Sequence, residues 1–150
     1  MQSHTSTLQK FQCPKKITPF SPVDCDYNLV PVKCVNVYDG DTVKLAFHLF
    51  NDPSQQIFIF PCRLMGIDTP EMKSSNPKEK EMATNARDYL RSKVSDKCIW
   101  AKFYSDEHEK YGRLLVELYE TPDAYKSINT LLIENGYAYA YDGGTKNKII

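Results

Sequence analysis

Three stretches with strand periodicity follow one another between Val30 and Ile67 before any helical pattern begins, and this order most limits what the chain can fold into. VPVKCVNVYDGDTVKLAFHLF reads as two strands about a tight turn at Tyr38-Asp39-Gly40, the second alternating Val43, Leu45, Phe47 and Leu49. Asn51-Asp52-Pro53-Ser54 supplies the next turn, and QQIFIFPCRLMGI resumes as a third strand. Strands this close in sequence pair with their neighbours as a curled meander. A doubly wound parallel sheet would need a helix between each of them.

The period then changes. Asn76 is placed as an N-cap, Pro77 stands at the first helical position, and Glu79 falls at N3 as a capping-box partner. Met82, Ala86, Tyr89 or Leu90, and Val94 recur on one helical face, which predicts about five turns lying against the strands. Two more strands follow, KCIWAKFY and GRLLVELYE, with Leu114, Val116 and Leu118 as one inward row. A second helix is expected with Thr121 or Asp123 as its cap, Ile128, Leu131 and Leu132 as its apolar stripe, and Gly136 after Asn135 as its stop. Five strands and two helices without βαβ alternation predict a small β-barrel with helices packed against it. At 150 residues and 41% hydrophobic content, one core is the natural expectation. Residues 1–29, rich in Pro, Ser, Thr and Lys, read as an extended arm, and 30–150 as the domain.

Nineteen Lys+Arg against nineteen Asp+Glu removes the long-range positive field of a chain that holds polyanions by charge alone. Local excess remains: Met72 to Lys102 carries eight basic residues against four acidic ones, which suits either a polyanion contact or an ordinary solvated helix face. Cys13, Cys25, Cys34, Cys62 and Cys98 form no C-x-x-C pair and leave one over from any complete pairing, so a disulfide scaffold and a zinc ribbon are disfavoured and a reducing compartment is inferred. The opening residues have no apolar h-region, and no run is long enough to cross a bilayer. An intracellular location, cytoplasmic or nuclear, is therefore expected.

Five charged residues stand in short phrases punctuated by Gly or Pro: Asp41 in YDGDT, Arg63, Asp68 and Glu71 in CRLMGIDTPE, and Arg113 in EKYGR. Each has a structural alternative. Asp39 and Asp41 can shape the turn at Gly40, Asp68 and Thr69 can cap a turn before Pro70, and the arginines can be paired surface charges. Together these alternatives explain less, because the meander carries Asp41, Asp68 and Glu71 toward neighbouring loops, and three carboxylates brought together repel unless a cation joins them. A hard ion such as calcium suits carboxylate, carbonyl and water oxygens, and these phrases hold no Cys or His in the ligand positions to suit a softer metal. The chemistry open to such a site is phosphodiester hydrolysis. Arg63 and Arg113 would meet the charge on the equatorial oxygens, a cation on Asp41 and Asp68 would lower the same barrier, and Glu71 would act on a water as general base.

VYDGDTVKL, RLMGIDTPE, EKYGR and LLIENGYA resemble, in order and wording, the thermonuclease family of staphylococcal-nuclease-like domains, over roughly Val32 to Tyr141. Arg63, Asp68 and Glu71 stand at i, i+5 and i+8 as in the family's second motif, which makes the likeness specific where a lone DGDT would not be. The resemblance implies a five-stranded OB-fold barrel and a Ca²⁺-dependent endonuclease acting on DNA and RNA and leaving 3′-phosphate ends. It also implies Asp41, Asp68 and the backbone carbonyl of Thr69 as calcium ligands, Glu71 as general base, and Arg63 and Arg113 on the phosphate, Arg113 also helping the leaving oxygen. Tyr111 matches a residue that contacts nucleotide, by base stacking or a phosphate hydrogen bond. A second such tyrosine falls one residue from Tyr141, while Tyr137 and Tyr139 read as packing residues. His108 reads as a surface histidine, and His4 and His48 carry no signal.

Three departures stand beside the likeness. The stretch between Asp41 and Arg63 is longer than in the bacterial enzyme, consistent with an enlarged hairpin around Asn51 to Gln56. The N-terminal arm has no counterpart there. The bacterial enzyme also continues into a third helix beyond the position of Tyr141, so the arm or a partner subunit, as in a homodimer, is expected to cover that face. The competing reading is a module of the same fold that binds nucleic acid or protein without cutting. Members of that kind usually lack parts of the arginine and carboxylate set, and here all of it is present.

Overall fold

The computed structural model describes residues 29–48, 56–104 and 113–141. The expected arm up to residue 28, the turn at Asn51–Ser54, His108, Tyr111 and the tail after Tyr141 lie outside the described residues. In chain order the elements are β1 (Val30–Asp39), β2 (Thr42–His48), β3 (Ile57–Leu64), β4 (Ile67–Asp68), α1 (Pro77–Val94), β5 (Cys98–Tyr104), β6 (Leu114–Tyr119), α2 (Ile128–Glu134) and β7 (Tyr139–Ala140). Five of the strands close into a barrel in the order β1-β2-β3-β6-β5, with β5 returning to β1, and β4 and β7 form a separate two-stranded ribbon. This is the five-stranded barrel with two helices that the run of three strands predicts, in an OB-fold arrangement.

Closure follows from β1. Val30–Lys33 pairs with β5, while Lys33–Asp39 pairs with β2, so one strand serves two neighbours. Irregularities between Cys34 and Asn36 and between Val37 and Asp39 break the regular register there, and such bulges bend and twist a strand enough to turn a sheet corner. All barrel pairs are antiparallel except β3 with β6, which meet in parallel over Cys62–Leu64 and Leu114–Val116. The inward residues of the five strands fill the interior: Phe47 lies 5.2 Å from Phe60 and 4.6 Å from Phe103 between ring centroids, and Leu45, Cys62, Leu64, Ile99, Val116 and Leu118 are fully buried. Leu114, Val116 and Leu118 form the expected inward row. Burial raises the thiol pKa of Cys34 to about 11 and holds that of Cys62 well above the ordinary thiol value, so both behave as small hydrophobes.

Helix α1 begins as the sequence predicts, with Asn76 Oδ1 accepting from the amides of Lys78 (2.9 Å) and Glu79 (3.4 Å). Its buried stripe differs at the start: Ala83, Ala86, Leu90 and Val94 face the barrel, and Met82 is only half-buried. The helix passes so close to the β1–β2 turn that a Cβ on Gly40 would sit 2.8 Å from both Ala86 Cβ and Thr69 Cγ2. Only a small side chain fits at Ala86. Helix α2 is capped by Ser127, whose Oγ accepts from the Thr130 amide at 3.0 Å, and not by Thr121 or Asp123. Those two are spent on their own turn, where Thr121 Oγ1 donates to Asp123 Oδ1 at 2.8 Å. Asn135 and Gly136, the latter at φ +80°, end the helix as expected. No helix among the described residues is long and apolar enough to cross a membrane.

Asn129 on α2 is buried and fully used. Its Nδ2 donates to the carbonyls of Met65 (2.9 Å) and Val116 (3.0 Å), and its Oδ1 accepts from the Leu118 amide at 3.1 Å. One side chain thus ties α2 to β6 and to the turn that follows β3. Asn129→Leu should lose about 2–4 kcal/mol of stability, because the Leu118 amide and the Met65 carbonyl lose this partner in the interior, while the Val116 carbonyl keeps only the Met65 amide, at 2.8 Å. Urea unfolding of the purified variant measures this, and a loss under about 1 kcal/mol would rule out a structural role of that size.

Candidate functional site

The site forms where the β1–β2 turn, the end of β3 and the strand β4 meet. Leu64 donates its amide to the Asp41 carbonyl at 2.9 Å, which locks the β1–β2 turn onto the β3 end. The turn Met65-Gly66, with Gly66 at φ +80°, then reverses the chain into Ile67-Asp68. Asp41 and Asp68 are both buried, at 7% and 2% exposure, although neither lies on the inward row of a barrel strand. Burial of two carboxylates this deep requires compensation.

The compensation is shared. Arg63 Nη2 lies 3.4 Å from Asp68 Oδ1 and 3.7 Å from Asp41 Oδ2. The Thr69 amide donates to the same two oxygens, at 3.1 Å and 3.3 Å. The two carboxylates therefore turn one oxygen each toward a common guanidinium nitrogen and a common N–H. Asp41 Oδ1, on the other side, accepts from Thr42 Oγ1 at 3.0 Å, and Thr42 Oγ1 in turn accepts from Arg113 Nη1 at 3.4 Å. Arg63 stands opposite Thr42 on β2 and opposite Leu115 on β6, two residues beyond Arg113. Barrel closure therefore brings both arginines to one edge.

Among the described residues one guanidinium, that of Arg63, meets both carboxylates. Burial, followed by the charge of Asp39 and a hydrogen bond with it, raises the Asp41 pKa from 3.8 to about 6, against the smaller opposing pull of Arg63 and Thr42. Thr69 Oγ1 is buried with no hydrogen-bond partner. An anionic pair with a buried oxygen beside it is a donor set that fits a hard divalent cation. Asp39 acts as a turn residue, its Oδ1 accepting the Asp41 amide at 3.1 Å.

The expected convergence of three carboxylates is met only by two. No group of three or more His, Cys, Asp or Glu able to hold a metal is present among the described residues, and Glu71 is exposed. The reason lies at the helix start. Glu79 does not close a capping box on Asn76. Its Oε2 accepts the Glu71 amide at 3.3 Å, its Oε1 accepts Ser74 Oγ–H at 2.7 Å, and Ser74 Oγ takes the Asn76 amide at 3.0 Å. The cap is thus relayed through Ser74 and fastens the Glu71 backbone to α1, leaving the Glu71 side chain at the surface. Further ligands to a cation would be carbonyl or water oxygens.

Three contributors were not assigned to this site from the sequence, Tyr141 being named there only as lying one residue from a nucleotide-contacting position. Thr42 belongs to the phrase YDGDT, but strand alternation marks it only as an outward residue. Asn129 reads as a polar interruption of the α2 stripe. Tyr141 lies with its ring 5.4 Å from the Arg63 guanidinium carbon, a contact no spacing rule announces. Tyr137 stacks on Tyr89 at 4.6 Å and is a packing residue, as expected. The basic stretch from Met72 to Lys102 is partly neutralised, with Arg87 and Arg91 on Asp88 and Lys93 and Lys97 on Glu120.

Two comparisons with known proteins bear on this site. The sequence model described as "Staphylococcal nuclease homologue" matches residues 61–149, which contain Arg63, Asp68, Thr69, Glu71 and Arg113. The thermonuclease of Staphylococcus hyicus is 26% identical over 108 residues, covering 72% of this chain and 57% of the relative. The chain thus spans little more than half the length of that curated relative.

The raised pKa of Asp41 has a testable consequence. A carboxyl with a higher pKa in the folded state than in the unfolded one binds its proton more tightly when folded. Its stabilising contribution is complete below about pH 4 and is lost as pH rises through about 6. In chelator, Asp41→Asn should therefore be more stable than the parent at pH 7–8, by up to about 3 kcal/mol, with the advantage vanishing near pH 4. Urea midpoints across pH 4–8 measure it, and an Asn variant of equal or lower stability throughout would contradict the assignment.

Proposed function

Since the chain belongs to the staphylococcal nuclease homologue family, we propose that it is a Ca²⁺-dependent endonuclease that hydrolyses DNA and RNA phosphodiesters and leaves 3′-phosphate ends. The observation that carries this reading is the pair of facing oxygens on Asp41 and Asp68, which share one guanidinium nitrogen and one amide beside a buried Thr69 hydroxyl. Asp41, Asp68 and the Thr69 carbonyl would hold the cation. When bound, Ca²⁺ supplies positive charge at the scissile phosphate and a seat for a water.

The chain's own groups do the rest. Arg63 and Arg113 bind the phosphate, and their planar donors strengthen as charge builds on its equatorial oxygens. Thr42 links Arg113 to Asp41, so the two halves of the site are set relative to each other. Glu71 removes a proton from the attacking water as the new P–O bond forms and the bond to the 5′ oxygen breaks. Arg113 hydrogen-bonds that leaving oxygen, and solvent supplies its proton, since a guanidinium does not give one up. Tyr111 contacts the nucleotide. With zero formal charge, the protein relies on these local contacts to hold its substrate.

A second reading has one observation in its favour: Glu71 is exposed and outside the carboxylate pair. On that reading the chain binds nucleic acid or protein without cutting. Labelled single-stranded DNA and RNA incubated with Ca²⁺ or with chelator, with product ends identified, separate the two. Degradation to 3′-phosphate ends only with Ca²⁺ is expected, and Glu71→Gln should slow it roughly a hundredfold or more. Binding without cleavage in any divalent metal would leave the second reading standing.

A further inference from the structure

Among the described residues Arg63 is the side chain that meets both buried carboxylates, yet its contacts with them, 3.4 Å and 3.7 Å, are long for charge-assisted bonds, which run to about 2.7–2.9 Å. Such contacts alone hold a four-bond side chain loosely. The plane of the guanidinium has a second support in the ring of Tyr141, whose centroid lies 5.4 Å from the guanidinium carbon. The backbone that places this ring is tied to the same short loop. Tyr141 donates its amide to the Gly66 carbonyl at 2.9 Å, and Ile67 and Asp68 pair with Ala140 and Tyr139. Gly66 separates Arg63 from Asp68 in the chain, so arginine, carboxylate and ring all hang on one turn.

We infer that Tyr141 is a positioning residue for Arg63: its ring, through cation–π stacking and not through its hydroxyl, orients the guanidinium that binds the scissile phosphate. The inference rests on the nuclease reading for the role of Arg63, while the stacking itself stands independently of it. A cation–π contact at a partly exposed site contributes enough to change a rate by about threefold to thirtyfold. The effect should fall on kcat, because a misaligned donor matters most where charge develops.

The test compares Tyr141→Phe and Tyr141→Leu in the full chain. The first readout is the NMR signals of the Arg63 side chain, which a ring stacked on the guanidinium shifts upfield. Wild type and Tyr141→Phe should show the shift, and Tyr141→Leu should lose it while keeping its thermal midpoint. The second is Ca²⁺-dependent cleavage of labelled single-stranded DNA. Tyr141→Phe should retain kcat within about twofold, and Tyr141→Leu should lose about tenfold in kcat with KM nearly unchanged. An unshifted Arg63 in the wild type would overturn the stacking even in a protein that never cleaves. A Tyr141→Leu protein with full kcat, beside an Arg63→Ala protein without it, would overturn the positioning role and leave the nuclease reading intact. Cleavage undiminished by Arg63→Ala would overturn the inference together with the role assigned to Arg63.

Discussion

The barrel closes through three parallel residue pairs, Cys62–Leu64 with Leu114–Val116, and the rest of the molecule depends on that short seam. Parallel pairing cannot be made by a hairpin, so the chain must travel through α1 and β5 before β6 can arrive. The return is secured by Asn129, which reaches from α2 to the carbonyls of Met65 and Val116 and to the amide of Leu118. A polar side chain in the interior is tolerated there because each of its three hydrogen bonds satisfies a buried backbone group. The seam also sets the site, since Arg63 lies in its middle residue pair and Arg113 directly precedes its β6 end.

Once the seam is made, the electrostatics of the site follow from crowding. Among the described residues, two buried carboxylates share the Arg63 guanidinium, with a third, Asp39, close enough to raise the pKa of Asp41. A fold that only needed stability would gain by removing one of them, because the ionised pair opposes folding at neutral pH. Retention of such a pair at a surface edge beside two arginines is the physical pattern of a site that expects cationic company. The relay from Glu79 through Ser74 to Asn76, with its side bond to the Glu71 amide, links the start of α1 to the same loop. Helix and site are therefore braced together.

Much of this architecture was legible along the chain. Alternation in β1, β2, β5 and β6 and the Asn76-Pro77 start of α1 are local signals, and local backbone preference and burial pattern act in the same direction there. The misses are equally physical. Met82 is as apolar as Ala83, yet Ala83 is the one buried, a choice that hydrophobic periodicity does not make; at Ala86 the close approach to Gly40 adds a demand for small volume. Thr121 and Asp123 are good cap residues that found partners in their own turn before the helix could use them. Glu79 sits at the capping-box position and reaches instead for Ser74 and the Glu71 amide, because the loop before it folds back over the helix end.

By itself, the order and spacing of residues determined the five barrel strands, the two helices, the fold class and the family, because strand and helix periods and short turn phrases are properties of neighbours in the chain; the β4–β7 ribbon, which pairs segments far apart in the chain, was not among them. It also named Asp41, Arg63, Asp68, Glu71 and Arg113 as residues that could act together. Only the tertiary structure decided which of them meet. Asp41 and Asp68, 27 positions apart, turn their oxygens to one arginine, while Glu71, three positions from Asp68, stays at the surface. Thr42, next to Asp41 in the chain, joins that carboxylate to the distant Arg113, and Tyr141 reaches Arg63 from just past β7. Contacts of that kind are set by barrel closure and by burial, which no local pattern encodes.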